Sequence, residues 1–97
     1  MNLDFLLKWG RITFDELSSL EDSNLNKSID SLKEDMLQVE LVGNYLLDIG
    51  WYPSFDLDGE FRLILIKEHD WDRPIYSGTA KDILALREKI EQSLEHI

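Results

Sequence analysis

The stretch YLLDIGWYPSFDLDGEFRLILIKEHDW, residues 45–71, decides the fold of this 97-residue chain. Its first part alternates in polarity, and one face of the predicted strand carries Tyr45, Leu47, Ile49 and Trp51. Pro53 ends that strand, because proline cannot donate to a β-ladder. DLDG follows with turn chemistry, in which Gly59 is free to take a positive φ. FRLILIKE then has apolar residues on both faces, which predicts a central strand covered at least partly on both sides.

The segments on either side extend this hairpin into a meander. MLQVEL, residues 36–41, alternates as a half-buried strand does, and VGN after it suits a hairpin turn. An alternative stays open here, because Met36 and Val39 also continue the helical spacing of Ile29 and Leu32. Farther along, RPIYSG predicts a short fourth strand in which Pro74 is tolerable near the start.

Helical patterns flank the meander. A short helix that ends at Gly10 is predicted from Leu3, Phe5, Leu6 and Leu7. Thr13 and Glu16 have the spacing of a capping box and predict a second helix start. Ser23 predicts a third, with the helical spacing of Leu25, Ile29 and Leu32. Thr79 and Asp82 predict the start of the last helix, whose apolar stripe is Ile83, Leu86, Ile90, Leu94 and Ile97.

These patterns together predict an α+β fold. It consists of N-terminal helices, an antiparallel meander of about four strands and a C-terminal helix packed on the sheet. The length predicts a single globular domain over residues 1–97.

The net negative charge of the chain limits the kinds of molecule that it is expected to bind. Twenty acidic against ten basic residues give a formal net charge of −10. Phosphate backbones repel such a surface, so binding to nucleic acid is not expected, and neither is binding to an anionic membrane. A basic protein partner would be attracted and steered. Acidity also serves solubility, and that reading stays open. The absence of cysteine and of a basic N-terminal leader predicts a cytoplasmic protein.

No pattern in the sequence predicts catalysis. Asp56, Asp58 and Glu60 around Gly59 are too few for a calcium loop and have strands on both sides, so a solvated hairpin turn is favoured. His69 and His96 lack the further partners that a metal site or a nucleophile–base pair needs. We therefore expect no enzyme, no metal and no cofactor.

Aromatic and acidic residues around the strand ends predict a partner-binding surface. Trp51 shares a face with Ile49 and belongs to the core, whereas Tyr52, Phe55 and Trp71 lie at loops or on the less apolar face. Residues 36–78 hold eight acids and three bases, more negative than the last helix. The turns at residues 58 and 70 should lie at opposite ends of the meander. The predicted partner-binding residues are Asp48, Tyr52, Phe55, Asp56, Asp58, Glu60, Asp70 and Trp71.

DMLQVEL, YLLDIGWYPSFDLDGEFRL and DWDRPIY together resemble small bacterial immunity proteins of polymorphic or contact-dependent toxin systems, over about residues 35–76. Such proteins are small, acidic and cytoplasmic, and each inactivates one cognate toxin, often a basic nuclease, by covering its site. The resemblance implies the same role here, an antitoxin that binds its toxin directly. Two alternatives are a homo-oligomeric structural or regulatory domain, with a homodimer as its simplest form, and an enzyme dependent on a small ligand or metal.

Overall fold

The computed structural model describes residues 1–20 and 29–97. In these residues an antiparallel sheet and one α-helix make an α+β fold, and the strand order in the sheet follows the chain. The sheet has five strands and not the predicted four, because residues predicted to start a helix form its first strand. The elements are a 3₁₀ turn at Asp4–Leu6, β1 at Gly10–Asp15, β2 at Leu37–Leu41, β3 at Tyr45–Tyr52, β4 at Glu60–Lys67, β5 at Tyr76–Ala80 and α1 at Ile83–Leu94.

The central hairpin is as predicted. β3 and β4 pair in an unbroken register from Tyr45 opposite Lys67 to Tyr52 opposite Glu60, and β3 ends directly before Pro53. The prediction for Gly59 is wrong, because the positive φ in this connection, 60°, belongs to Phe55. Glycine at position 59 is required by space instead. A Cβ atom there would lie 2.6 Å from Nε1 of Trp51, closer than carbon and nitrogen can pack.

Residues 36–41 contain strand β2, and the alternative of a continuing helix is wrong. Leu41 faces Tyr45 across a three-residue connection, in which Gly43 and Asn44 both have positive φ, 94° and 64°. Glycine and asparagine are the residues that adopt this conformation most readily, so the VGN turn forms where the sequence predicted it.

The first two predicted N-terminal helices are wrong. The third was assigned to Ser23, Leu25, Ile29 and Leu32, and its start at Ser23 and Leu25 lies outside the described residues. The first predicted helix is a single 3₁₀ turn, and Gly10 begins a strand. The Thr13–Glu16 pattern caps no helix, because β1 pairs with β2 and Thr13 lies at a bulge, where its hydroxyl donates to the carbonyl of Gln38. Pairing with a distant strand thus outweighs a local start signal.

The core lies on one face of the sheet. Helix α1 covers that face with Ile83, Leu86, Ile90 and Leu94, all buried as the stripe predicted, while Ile97 is exposed. Asp82 alone caps the helix, accepting the N–H of Ala85 at 2.7 Å, whereas Thr79 belongs to β5. The first twenty residues and the segment before β2 complete the core with Leu3, Leu6, Leu17, Leu20, Leu32 and Met36. No helix among the described residues is long and apolar enough to cross a membrane.

Candidate protein-binding face

The side of the sheet turned away from α1 is the candidate functional surface, and we call it the open face. One row of directly opposed residues crosses all five strands on it. From β1 to β5 the row is Phe14, Gln38, Asp48, Ile64 and Ser77. Arg62, Tyr52 and Glu60 follow in the neighbouring rows toward the β3–β4 connection. The result is a surface that mixes aromatic, aliphatic and charged side chains.

The open face is not accessible at its end near the β4–β5 connection, because its residues there are buried. Leu46 and Ile66 are opposite each other there, and both are buried although they lie outside the main core. His69, from the β4–β5 connection, lies beside Leu46 at a small pocket. In the central row Ile64 remains half-exposed directly beside Asp48, and Phe14 is exposed at the β1 end. The accessible part of the face is therefore centred on Asp48.

A bulged segment before β2 brings two further acids to Asp48. The N–H of Trp51 donates to the carbonyl of Lys33 at 2.6 Å, and the N–H of Met36 donates to the carbonyl of Ile49 at 3.0 Å. The chain between these two bonds lies against Gly50, which has no side chain to obstruct it. Glu34 and Asp35 are in that chain, both exposed, so three carboxylates belong to one small region of the open face.

Asp48 is a perturbed carboxyl group in this region. Partial burial, followed by the negative charge of Asp35, raises the pKa of its carboxyl above the usual value of 3.8. Its Oδ1 atom is shielded from solvent and receives no hydrogen bond from the described residues. A buried acceptor without a donor costs about 1–3 kcal/mol, so the residue is unfavourable for the isolated fold. Such a cost at an exposed sheet face is typical of a position kept for binding.

The same three carboxylates also affect Tyr52. Burial, followed by the charges of Asp48, Glu34 and Asp35, raises the pKa of its hydroxyl, and Arg62 opposes this shift. The guanidinium carbon of Arg62 lies 5.1 Å from the centre of the Tyr52 ring, within the range of a cation–π contact. The chain's own arginine thus shows the kind of cation that this face accommodates.

The β3–β4 connection holds three of the predicted binding residues. Phe55 is 57% exposed, and its backbone is fixed by an N–H bond to the carbonyl of Leu32 at 2.7 Å. Asp56 accepts the N–H of Asp58 at 2.9 Å and, through its carbonyl, the indole N–H of Trp51 at 2.7 Å. This connection is therefore anchored to the core and presents Phe55 and two acids in a fixed arrangement.

The structure brings most of the predicted residues, but not all of them, to one region. Glu60 lies opposite Tyr52 and 3.9 Å from Lys81, which partly neutralises it. Asp70 and Trp71 are in the β4–β5 connection, at the opposite end of the meander as expected. The eight residues of β4 separate this connection from the β3–β4 connection by about 25 Å. Trp71 is 46% exposed there. The predicted set thus has a group of six near Asp48 and the β3–β4 connection, and two distant members.

Sequence reasoning missed several residues of the open face: Phe14, Glu34, Asp35, Gln38 and Arg62. Phe14 was missed because Thr13 and Glu16 in ITFDEL predict a helix start, although Ile12 and Phe14 have the alternation of a strand. Glu34 and Asp35 carry no comparable signal, because a bulge depends on the neighbouring strand and not on local sequence.

The described residues contain no group of three or more histidine, cysteine, aspartate or glutamate side chains placed to hold a metal ion. Comparison with protein families, with curated protein sequences and with solved structures finds no match to this chain. The resemblance to immunity proteins accordingly remains a prediction.

Proposed function

We propose that this chain is a non-enzymatic, acidic protein-binding module that neutralises a toxin domain by direct, stoichiometric binding, as the immunity proteins that it resembles do. The open face around Asp48 is the surface through which it binds. The observation that carries this proposal is the unpaired carboxylate of Asp48, held half-buried between an exposed aromatic ring and two further acids on a rigid sheet.

Rigidity and charge support a binding role in different ways. Residues on paired strands lose little freedom on association, so less of the contact energy is spent on ordering them. The net charge of −10 speeds encounter with a basic partner, while Tyr52 and Phe55 supply the aromatic contact that slows dissociation. A basic nuclease is a partner of suitable charge, because its own site must attract phosphate.

Self-association through the same face is disfavoured. Two copies placed face to face would bring Asp48 and its acidic neighbours against the same groups of the second copy, and like charges at an interface cost free energy. A homo-oligomer would need another surface. Sedimentation over a range of concentrations separates the two cases, since an obligate dimer at nanomolar concentration favours the oligomeric alternative.

The test is co-expression with the protein encoded by the neighbouring upstream reading frame, followed by measurement of growth and co-purification. We expect rescue from a toxic neighbour and a one-to-one complex that added salt weakens. An Asp48→Lys variant should lose rescue, whereas Glu88→Lys, the same charge change at an exposed position of α1, should keep it. A neighbour that is harmless and does not co-purify contradicts the proposal.

A further inference from the structure

A pocket of about 260 Å³ opens on the open face beside Asp48. Its lining is Phe14, Asp35, Leu37, Gln38 and Asp48. The ring of Phe14 is 39% exposed, Leu37 is buried and contributes to the core, and the other three residues are polar. The pocket therefore combines apolar and aromatic wall with carboxylate and amide acceptors.

Negative charge at this pocket is uncompensated, in contrast to the rest of the open face. Glu40 binds Arg11 at 3.0 Å, and Glu60 lies 3.9 Å from Lys81. Within residues 1–20 and 29–97, Glu34, Asp35 and Asp48 make no ion pair. The same three carboxylates act together on Tyr52. A cation brought by a partner would thus meet its strongest attraction at this point of the face.

The carboxylate of Asp48 offers more than a general attraction. Its Oδ1 atom is closed to solvent and accepts no hydrogen bond from the described residues, so a donor from outside meets Asp48 where the residue lines the pocket. A guanidinium group supplies several N–H donors in one plane, and that plane can also stack on an aromatic ring. An ammonium group has no such plane, so the pairing of Phe14 with two carboxylates favours arginine over lysine.

We propose that this pocket receives one arginine side chain of the protein partner, whose guanidinium donates to the carboxylates of Asp48 and Asp35 while its plane lies on the ring of Phe14. This inference rests on the proposed function and names the chemistry that the open face recognises. A second copy of the chain is not the occupant, because its own open face carries the same acids.

The test uses the isolated full-length chain and a small probe, so it does not depend on the toxin. The chain is titrated with the blocked peptide acetyl-Gly-Arg-Gly-amide, and amide shifts are followed in ¹H–¹⁵N spectra. The control peptide has citrulline, the uncharged isostere, in place of arginine. We expect saturable shifts at Phe14, Gln38 and Asp48 with arginine, and none with citrulline.

Two variants with the same charge change locate the interaction. Asp48→Asn should weaken binding of the arginine peptide about tenfold, the effect of one charge-assisted hydrogen bond. Asp58→Asn, in the exposed turn, should change it less than about twofold, as screened exposed charges do. The unliganded spectra of both variants report whether the fold is kept, and Asp35→Asn gives a second test of the pocket.

Four results would overturn the inference: no shifts with the arginine peptide, equal shifts with citrulline, shifts spread over all exposed acids, or unchanged binding in both Asp48→Asn and Asp35→Asn. None of them bears on co-purification with a toxic neighbour. A chain that rescues growth but ignores the arginine peptide would keep the proposed function and lose this inference. A chain that binds the peptide in the pocket but does not rescue growth would keep the arginine pocket and lose the proposed function.

Discussion

Gly50 lies directly against the backbone carbonyl of Glu34, and a Cβ atom at position 50 would overlap that oxygen. The contact places Glu34 and Asp35 on the open face beside Asp48. Because the obstacle is backbone that is hydrogen-bonded on both sides, Gly50→Ala should destabilise the fold by about 3 kcal/mol, the upper range for overpacking. Urea denaturation measures this change.

Gly78→Ala is the matched control for that prediction. A Cβ atom there would lie 3.2 Å from Cδ of Lys89 and from the hydroxyl of Tyr76, both at the ends of side chains that can move. We expect a loss below about 1 kcal/mol. Equal effects of the two substitutions would mean that the bulged segment before β2 yields easily and does not hold the acids in place.

Asp48→Asn should raise stability at neutral pH, because it removes a charge that the fold disfavours. The pKa of Asp48 is raised in the folded chain, so the folded state holds its proton to higher pH than the unfolded state. The free energy of unfolding therefore falls as pH rises above 3.8, and the full cost is present above the raised pKa. The gain of the variant should be greatest at pH 7 and shrink as pH falls toward about 4.

Thermal unfolding at several pH values measures this gain as a difference in Tm. Asp58→Asn removes the same charge from an exposed turn and should show a much smaller dependence on pH. A stabilised variant that also fails to rescue growth would mark Asp48 as a residue at which stability is given up for binding. Lower stability of Asp48→Asn at pH 7 would contradict the assigned burial cost.

The parts of the fold that could be predicted are those with a repeating pattern and a fixed end. Pro53 and the alternation before it define β3, and the stripe from Ile83 to Leu94 defines α1, because both signals are local. Strand β1 could not be recognised in the same way. Its partner β2 lies more than twenty residues farther along the chain, and Thr13 with Glu16 offers a helical signal that only this pairing overrides.

The residues of the candidate site also divide into those that could be predicted from the sequence and those that could not. Asp48 and Tyr52 were predicted because they fall on the polar side of a strand whose face could be read from sequence. Glu34 and Asp35 could not be predicted, since their position depends on a bulge and on the missing side chain of Gly50. Gly59 shows the same limit. Its turn sequence suggested a positive φ, whereas glycine is required there because the indole of Trp51 leaves no space for a Cβ atom.

Asp15 stabilises the fold at neutral pH, whereas Asp48 destabilises it. Its carboxylate accepts the N–H groups of Leu17 and Ser18, each at 2.9 Å, and the hydroxyl of Ser18 at 2.6 Å. Partial burial acts to raise the pKa of Asp15, but these bonds from Ser18 and Leu17 outweigh it and leave the pKa below 3.8. Asp15→Ala should cost about 1–2 kcal/mol at pH 7, as the loss of a capping carboxylate does.

The pH dependence of Asp15 follows from the same shift. Its stabilisation is fully present above the unfolded value of 3.8 and is lost as pH falls through the lower, folded pKa. Chemical denaturation at pH 7 and near pH 3 should therefore show a smaller loss for Asp15→Ala at the acidic value. Asp72→Ala, an exposed residue in the β4–β5 connection, serves as control, and an equal loss there would assign the effect to net charge.

Trp51 links the core to the β3–β4 connection. It is 2% exposed, packs edge-on against Phe61 with ring centres 4.8 Å apart, and donates to the carbonyl of Asp56. Trp51→Phe should cost about 2–4 kcal/mol, because it leaves a cavity and an acceptor without its donor. Trp71→Phe, at an exposed indole, should stay within about 0.5 kcal/mol. Denaturation curves followed by circular dichroism compare the two.

The last prediction concerns the two ends of the sheet. A partner that covers Asp48 and the β3–β4 connection buries Tyr52 and Phe55 near the middle of the interface, where aromatic truncations cost about 2 kcal/mol or more. Trp71 lies beyond the other end of β4, about 25 Å from the β3–β4 connection, and therefore at the rim of such an interface, where contacts contribute little. Tyr52→Ala with Phe55→Ala should therefore weaken the complex at least about thirtyfold, and Trp71→Ala less than about fivefold.

Calorimetry of the co-purified complex measures both affinities, with Leu84→Ala as control for the loss of an exposed apolar side chain from α1. A large effect of Trp71→Ala would move the centre of binding to the β4–β5 connection, because rim residues do not behave in that way. Unchanged affinity when Tyr52, Phe55 and Trp71 are all replaced by alanine would remove the aromatic contribution altogether. The acids around Asp48 would then have to hold the partner by charge alone, and the complex should dissociate steeply with salt.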